Sequence, residues 1–229
     1  IGKPGLGKTR FLSELAGVMK TGFYSTDMST VSAGFVLAGS SSTWSEGKPG
    51  FVSQSLTDSE VANPIVLIDE IDKASGDARY DPLGAFYSLL ERHTARLFTD
   101  EFLDIELDCS HINWVASANY IEQIPEPIRT RMEMFVIQPP SDEQTGVISQ
   151  NIYQEMLKEN TWGRYFSHKL SQHVLDEIKG CSSPREVRKT LEKACAKVVL
   201  RSGRKAKPFS ISTSDIDFTK PVVKKRIGF

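Results

Sequence analysis

Two apolar rhythms divide this chain. Near its start, Leu12, Leu15, Ala16 and Met19 recur at intervals of three and four residues, the spacing of one buried stripe on a helix. Thr21-Gly22 interrupts the stripe, and Phe23-Tyr24-Ser25-Thr26 reads as a short strand. Residues 32–39 read as a short helix of small residues. Residues 40–50 then form a polar, flexible loop with a single large aromatic, Trp44. After Pro64, Ile65-Val66-Leu67-Ile68 is an unbroken run of β-branched residues and leucine, which predicts a central parallel strand covered on both faces. A helix capped at Asp81-Pro82 follows, with Leu83, Phe86, Tyr87, Leu89 and Leu90 as its apolar face. Residues 98–107 alternate polar and apolar, as a hairpin or an extended excursion would. Residues 112–119 read as a further apolar strand that ends on Asn119.

Past Gln138-Pro139-Pro140 the strand signals nearly vanish. A helix capped at Ser141-Asp142-Glu143 is predicted to run to about residue 160, and a second spans about 165–179. A third begins at Ser183-Pro184 and turns Val187, Leu191, Ala194, Cys195 and Val198 inward. The rhythm predicts an α/β unit over residues 1–140 and a small helical unit over 141–229.

Composition narrows the classes. With 229 residues, 39% of them hydrophobic, the chain can bury a core for one large domain or for a large and a small one. Its 28 Lys+Arg against 29 Asp+Glu leave a net charge of −1, so bulk electrostatics gives no argument for nucleic acid or membrane. No apolar run approaches the ~20 residues that span a bilayer, and no signal peptide is visible, so a cytoplasmic protein without a membrane partner is expected. Cys109, Cys181 and Cys195 are odd in number and far apart, which suits reduced core thiols better than disulfides or a zinc site. His168 and His173 lie five apart, the wrong spacing for two ligands on one helical face.

Chemistry enters at Gly2-Lys3-Pro4-Gly5-Leu6-Gly7-Lys8-Thr9, the pattern G-x-x-x-x-G-K-T. Three glycines and a proline exclude a helix or strand interior, so this is a loop opening the first helix, with free backbone N–H groups for an anion. Gly5 and Gly7 let the backbone approach, Lys8 sets its charge on outer phosphates, and the Thr9 hydroxyl can hold Mg²⁺. Gly2, Pro4, Gly5, Leu6, Gly7, Lys8, Thr9 and Arg10, with Asp69, are the candidate ATP-binding residues.

Asp69-Glu70 closes the buried strand at the end where open α/β sheets place ligands. Asp69 can hold Mg²⁺ opposite Thr9, and Glu70 can polarise a water for in-line attack on a γ-phosphate. The Asn119 amide can position that water, or the residue can be a plain turn former. Arg129 and Arg131, after a proline-stiffened turn, can reach phosphate or form surface salt bridges. Arg185, in the first turn of its helix, opposes the helix dipole, which an anion nearby would explain. Arg201, Arg204, Lys205, Lys207, Lys224, Lys225 and Arg226 read as a solvated basic surface. A phosphate loop normally follows a buried strand, whereas only Ile1 precedes Gly2, so the first strand is expected to lie outside this sequence.

Taken together these residues resemble an AAA+ ATPase, most similar to the ATPase module of Lon-type proteases. The likeness runs nearly end to end. It is carried by Ile68-Asp69-Glu70-Ile71-Asp72-Lys73, by Asp81-Pro82 with Leu89-Leu90-Glu91, and by Phe98-x-Asp100-x-Phe102-Leu103. Ser117-Ala118-Asn119, Ile124-Pro125 and Arg131-Met132-Glu133 complete it. The resemblance implies a P-loop parallel sheet with flanking helices, followed by a helical lid. It also implies Mg²⁺-dependent ATP hydrolysis in a homo-oligomeric ring, a hexamer, that pulls a polypeptide substrate through its centre.

By position, the resemblance makes Lys8 and Thr9 part of Walker A, Asp69 and Glu70 part of Walker B, and Asn119 sensor 1. Arg131 becomes the arginine finger reaching a neighbouring subunit, and Arg185 the sensor 2 arginine, with Arg188 the runner-up. Trp44 takes the place of the substrate-gripping pore aromatic. The chain departs from the pattern in its serine-rich loop, in Trp where Tyr is usual, and in one extra residue between Asn119 and Arg131. It holds no stretch for a Ser–Lys peptidase domain, so peptidase activity is not implied. A nucleic-acid-remodelling AAA+ motor, suggested by the basic C-terminal stretch, is the alternative, and a nucleotide-regulated scaffold is a weaker rival.

Overall fold

The computed structural model describes residues 1–31, 33–41, 43–74, 81–202 and 208–217. Arg204, Lys205, Lys207, Lys224, Lys225 and Arg226 of the basic stretch therefore lie outside the described residues. The chain divides into two units, one of Ile1–Lys3 with Lys8–Ile137, the other of Pro4–Gly7 with the residues from Gln138 onward.

The first unit opens with α1 (Lys8–Met19), β1 (Phe23–Asp27), α2 (Phe35–Ala38) and α3 (Phe51–Thr57). Next come β2 (Ile65–Asp69), α4 (Phe86–Leu89), α5 (Arg92–Ala95), β3 (Phe98–Asp100) and β4 (Ile105–Leu107). β5 (Asn113–Ala116) and α6 (Glu126–Arg129) complete it. β2 is the middle of a parallel sheet of order β1-β2-β5, and β3 and β4 pair separately as an antiparallel hairpin. Ile65 faces Phe23 on one side and Asn113 on the other, while Asp27 faces Asp69 and Ala116 faces Ile68. The three strands thus finish nearly level, and their C-terminal ends share one edge.

Ile65, Val66, Leu67 and Ile68 are each at most 2% exposed, as a strand covered on both faces requires. Full burial of one such side chain is worth about 1.5–3 kcal/mol. Val66 and Ile68 share one core cluster with Met28, Leu37, Val52, Phe86 and Ile128. The backbone of Ile1 and Gly2 continues the layer. Gly2 N–H donates to Ala118 O at 3.2 Å, and Ile137 N–H donates to Ile1 O at 2.7 Å.

Several local expectations shift. Among the described residues the helix read over 32–39 is α2 alone, and α3 was not expected because its seven residues are too few to show a period. The helix read after Asp81-Pro82 is two one-turn pieces. The Asp81 carboxylate accepts the Leu83 N–H at 2.9 Å in a local turn, and Glu91 is extended (φ −109°, ψ 120°), which separates α4 from α5.

In the second unit, α7 (Asp142–Glu159) starts at Ser141 in a reciprocal capping box with Gln144. The helix expected over 165–179 is only α8 (Gln172–Ile178), because the Ser171 hydroxyl accepts the Val174 N–H and starts the helix there. Before it, Phe166 is extended and forms a parallel bridge with Phe209, and the rings of Trp162, Phe166 and Phe209 meet edge-on at 5.4 and 5.5 Å. α9 (Pro184–Ser202) turns Val187, Leu191, Ala194, Cys195 and Val198 into a core with Tyr153, Met156, Val174 and Ile178.

All three cysteines are free and buried. Burial pushes the thiols of Cys109 and Cys195 up to about 12, so both stay protonated at neutral pH. Among the described residues no helix is long and apolar enough to cross a membrane.

Phe86 is fully buried and meets Trp114 edge-on at 5.7 Å, in the core that packs against β2. Phe86→Ala should lower unfolding stability by about 3–5 kcal/mol. Urea denaturation followed by circular dichroism measures it, and a loss below about 1 kcal/mol would mean this packing is not the core of the unit.

Candidate functional site

At the glycine-rich loop the backbone needs conformations that side chains resist: Gly5 and Gly7 have φ of +80° and +85°. The chain then enters α1 at Lys8, with Thr9 and Arg10 exposed behind it. The Lys8 ammonium folds back over the loop. It donates to Gly2 O at 2.6 Å, to Lys3 O at 3.2 Å, and to Asn119 Oδ1 at 3.1 Å, joining α1 to the end of β5. A cation held among carbonyl oxygens at the rim of such a loop is placed to meet an anion.

The Thr9 hydroxyl donates to Asp69 Oδ2 at 3.0 Å, so a hydroxyl and a carboxylate from two elements meet at one point. Oxygen donors of this kind suit a small hard dication such as Mg²⁺. The other carboxylate oxygen, Oδ1, accepts from the Ser117 hydroxyl and from the Glu70 N–H at 3.2 Å. Ser117 also accepts the Glu70 N–H at 3.2 Å.

Glu70 itself sits in the left-handed region (φ 53°, ψ 43°), and its carboxylate pairs with Lys73 at 2.6 Å. That hydrogen bond and charge hold the Lys73 ammonium above its ordinary range. The structure thus joins Lys8 to Asn119 and Thr9 to Asp69, while the Glu70 carboxylate is turned to Lys73.

Arg131 is half-buried; its Nε donates to Glu91 Oε1 at 2.7 Å, its Nη2 pairs with the same oxygen, and its Nη1 donates to Pro127 O at 2.6 Å. Arg185 lies in the first turn of α9, with its backbone N–H toward Gly5 O at 3.4 Å, both within the second unit. Arg188 is tied to Glu159 and Glu192. In that unit Leu6 lines a groove of about 530 Å³ whose wall mixes Pro140, Val147 and Ile148 with Glu143 and Gln144. Trp44 is 72% exposed, in a tight turn where its N–H donates to Ser41 O.

Two residues of this arrangement were missed by the sequence reading. Ser117, two places before Asn119, binds Asp69. Asp72, buried, accepts the backbone N–H groups of Asn119 and Tyr120 at 3.2 and 3.1 Å, setting the turn that carries Asn119. The only signal for Asp72 was a further acid in Asp69-Glu70-Ile71-Asp72, easily read as solvated.

Residues 1–140 match the ATPase family associated with various cellular activities (AAA). The chain is 26% identical over 231 residues to the Lon protease of Malacoplasma penetrans, covering 99% of this chain and 29% of that protein. It is 28% identical over 235 residues to Lon protease 2 of Desulfotalea psychrophila, covering 100% of this chain and 30% of that protein. It is 36% identical over 134 residues to Lon protease 1 of Herpetosiphon aurantiacus, covering 58% of this chain and 16% of that protein. The chain thus spans less than a third of the length of these relatives. Among solved structures, a point mutant of Thermotoga maritima RuvB shares the fold, with a TM-score of 0.64 at 15% identity over 93% of this chain and 58% of that one.

Ser117→Ala removes one of the two hydroxyls on Asp69 without touching Thr9. It should weaken binding of a divalent cation at this point about tenfold, as loss of an orienting partner does. Titration with Mn²⁺ in the presence of nucleotide reads the change, and an unaltered affinity would separate Ser117 from the cation site.

Proposed function

The chain belongs to the AAA family of ATPases, and from that premise we propose that it hydrolyses ATP with Mg²⁺ in a ring of six like subunits, in the cytoplasm, to pull apart folded polypeptides. The observation that carries the nucleotide part is the meeting of Thr9 and Asp69 at 3.0 Å, beside Lys8 bonded to Asn119 at 3.1 Å. In the loop begun by Gly2 and Pro4, the N–H groups of Gly5, Leu6 and Gly7 serve the phosphates, Lys8 neutralises their outer oxygens, and Arg10 follows in the first turn of α1. When bound, Mg²⁺ supplies charge neutralisation at the transferring phosphoryl group, and Thr9 and Asp69 are the residues to hold it. Glu70, released from Lys73, accepts the proton of the attacking water, which the Asn119 amide orients.

Arg131 is proposed to act on the site of a neighbouring subunit, and Arg185 to sense the γ-phosphate from the helical unit. The pairing of Arg131 with Glu91 does not oppose this. The two side chains are 28% and 31% exposed, and an ion pair so placed is worth only about 0–1 kcal/mol, readily exchanged for a phosphate. The polypeptide part rests on likeness to Lon proteases over nearly the whole chain and on the exposed Trp44, whose indole offers a flat apolar face that grips without reading sequence. For a nucleic-acid motor the described residues give little support, since Arg201, the one basic-stretch residue among them, is engaged by Asp215, Ser212 and Ser214.

Glu70→Gln should keep ATP binding and slow hydrolysis by about 10²–10⁴-fold. Lys8→Ala should abolish binding. Fluorescent-nucleotide binding and single-turnover hydrolysis separate the two, and a Glu70→Gln protein with normal turnover would end the assignment.

Mixing Arg131→Ala with Lys8→Ala subunits should restore part of the activity that each lacks alone, because intact sites form where the two meet. The finger is worth about 10³–10⁵ in rate, so even a minority of intact sites is detectable. Absence of recovery in rings shown to contain both subunits would place Arg131 outside the reaction.

A further inference from the structure

A fully buried carboxylate outside the nucleotide site joins two surface loops. Asp100 ends β3 and is 0% exposed. Its Oδ2 accepts the Gly50 N–H at 2.9 Å and the Ser53 hydroxyl, both at the C-terminal side of the loop bearing Trp44. Its Oδ1 accepts the N–H groups of Phe102 at 2.9 Å and Leu103 at 3.1 Å, in the turn of the β3–β4 hairpin. Burial alone would push this carboxyl up; the Ser53 hydroxyl and the backbone N–H groups of Gly50, Leu103 and Phe102 outweigh it and hold the group below the usual carboxylate range. The charge is therefore kept inside the protein by donors from both loops at once.

The neck of the Trp44 loop fits around that carboxylate. Gly39 has φ +86°, and a Cβ there would lie 2.6 Å from Asp100 Oδ1. A Cβ on Gly50 would lie 2.4 Å from Gly39 N and 2.2 Å from Leu37 O, so the two sides of the neck touch through glycine backbone. Ser40 N–H donates to Lys48 O at 3.1 Å and Lys48 N–H to Ser40 Oγ at 3.1 Å, closing a second rung above. On the hairpin side, Glu101 N–H donates to Ala38 O at 2.8 Å, and the Phe102 ring would be 3.3 Å from a Cβ on Gly47. The exposed apolar side chains of the assembly are Trp44, Leu103 and Ile105.

We propose that Asp100 is a positioning residue that locks the Trp44 loop to the hairpin turn, so that Trp44, Leu103 and Ile105 meet an unfolded polypeptide as one rigid surface. This rests on the reading of Trp44 as the gripping side chain. Four donors from two loops converge on one carboxylate, so loss of its charge loosens both loops together, while Lys8, Thr9, Asp69, Glu70 and Asn119 keep their own partners.

The test compares wild type, Asp100→Asn, Ser53→Ala and Trp44→Ala, each labelled with 5-fluorotryptophan. Asp100→Asn should retain basal ATP hydrolysis, raise the KM for stimulation by unfolded casein about tenfold to a hundredfold, and narrow the ¹⁹F line of Trp44 while leaving those of Trp114 and Trp162 unchanged. Ser53→Ala keeps the carboxylate and should move both readouts the same way by less. An unchanged Trp44 line and casein KM in Asp100→Asn overturn the proposal. If Asp100→Asn melts early and loses basal activity, Ser53→Ala decides by the same two readouts. If Trp44→Ala keeps full casein stimulation, the gripping reading falls, and the Trp44 line width in the other variants still decides whether Asp100 fixes the loop.

Discussion

A carboxylate at the end of a buried strand needs donors from outside its own strand, and Asp69 takes them from both sides. The Thr9 hydroxyl reaches Oδ2 from α1, and the Ser117 hydroxyl reaches Oδ1 from just beyond β5. Both placements follow from the parallel register, in which Ile68 lies opposite Thr26 and Ala116 and the three strands end level. Side chains alternate faces along a strand, so a one-residue slip of β2 would turn Asp69 away from both hydroxyls and put its carboxylate where Ile68 now packs. The four buried residues Ile65 to Ile68 oppose that slip, since it would disturb all of their packing at once. Hydrophobic register is thus what keeps this edge in order.

Two charged groups of the first unit are held more loosely: Glu70 rests on Lys73 and Arg131 on Glu91. The two ion pairs are roughly a third exposed, where pairing contributes little and is screened by salt. Weak partners suit groups that must change partner during a reaction cycle. Asp69, with two hydroxyls and a backbone N–H on its carboxylate, is instead held from several directions, which matches a role as a fixed anchor.

How much of this was legible in the sequence depended on length and locality. The run Ile65 to Ile68 could only be a covered strand, and the Ser141-Asp142-Glu143 signal marked the start of α7. The α/β class was readable from the glycine-rich loop and the run ending in Asp69-Glu70, and the AAA resemblance from the succession of short contiguous blocks between Ile68 and Glu133. α3 and the split of α4 from α5 were not, because four to seven residues carry too little periodicity to distinguish a helix from a turn. The early start expected for the second lid helix failed differently: Tyr165 and Phe166 look like helix stripe residues, yet Phe166 is claimed by Phe209, far along the chain. Ser117, Asp72, Asp100 and Glu91 were opaque for the same reason. Each acts through a partner distant in sequence, and a lone serine or acid carries no mark of what it will touch.

Two costs of the first unit fall at this edge, while Lys20 and Asp104 carry like left-handed backbones elsewhere. Glu70 holds a left-handed backbone at φ 53°, which for a residue with a Cβ is unfavourable by about 1–2 kcal/mol. Two residues on, Asp72 is 5% exposed, and while its Oδ2 takes two backbone N–H groups, its buried Oδ1 has no hydrogen-bond partner among the described residues. A buried acceptor left so is destabilising, yet it stands next to the residue read as the base and holds the turn of the residue read as the water-orienting amide. The strained turn aims Glu70 off the strand axis, and the half-satisfied carboxylate fixes Asn119 against Lys8. A relaxed backbone at Glu70 would point its side chain elsewhere, and a residue at 72 without the carboxylate would free Asn119. These two unfavourable features lie where a particular side-chain direction matters and are offset by the uninterrupted burial of β2 directly behind them.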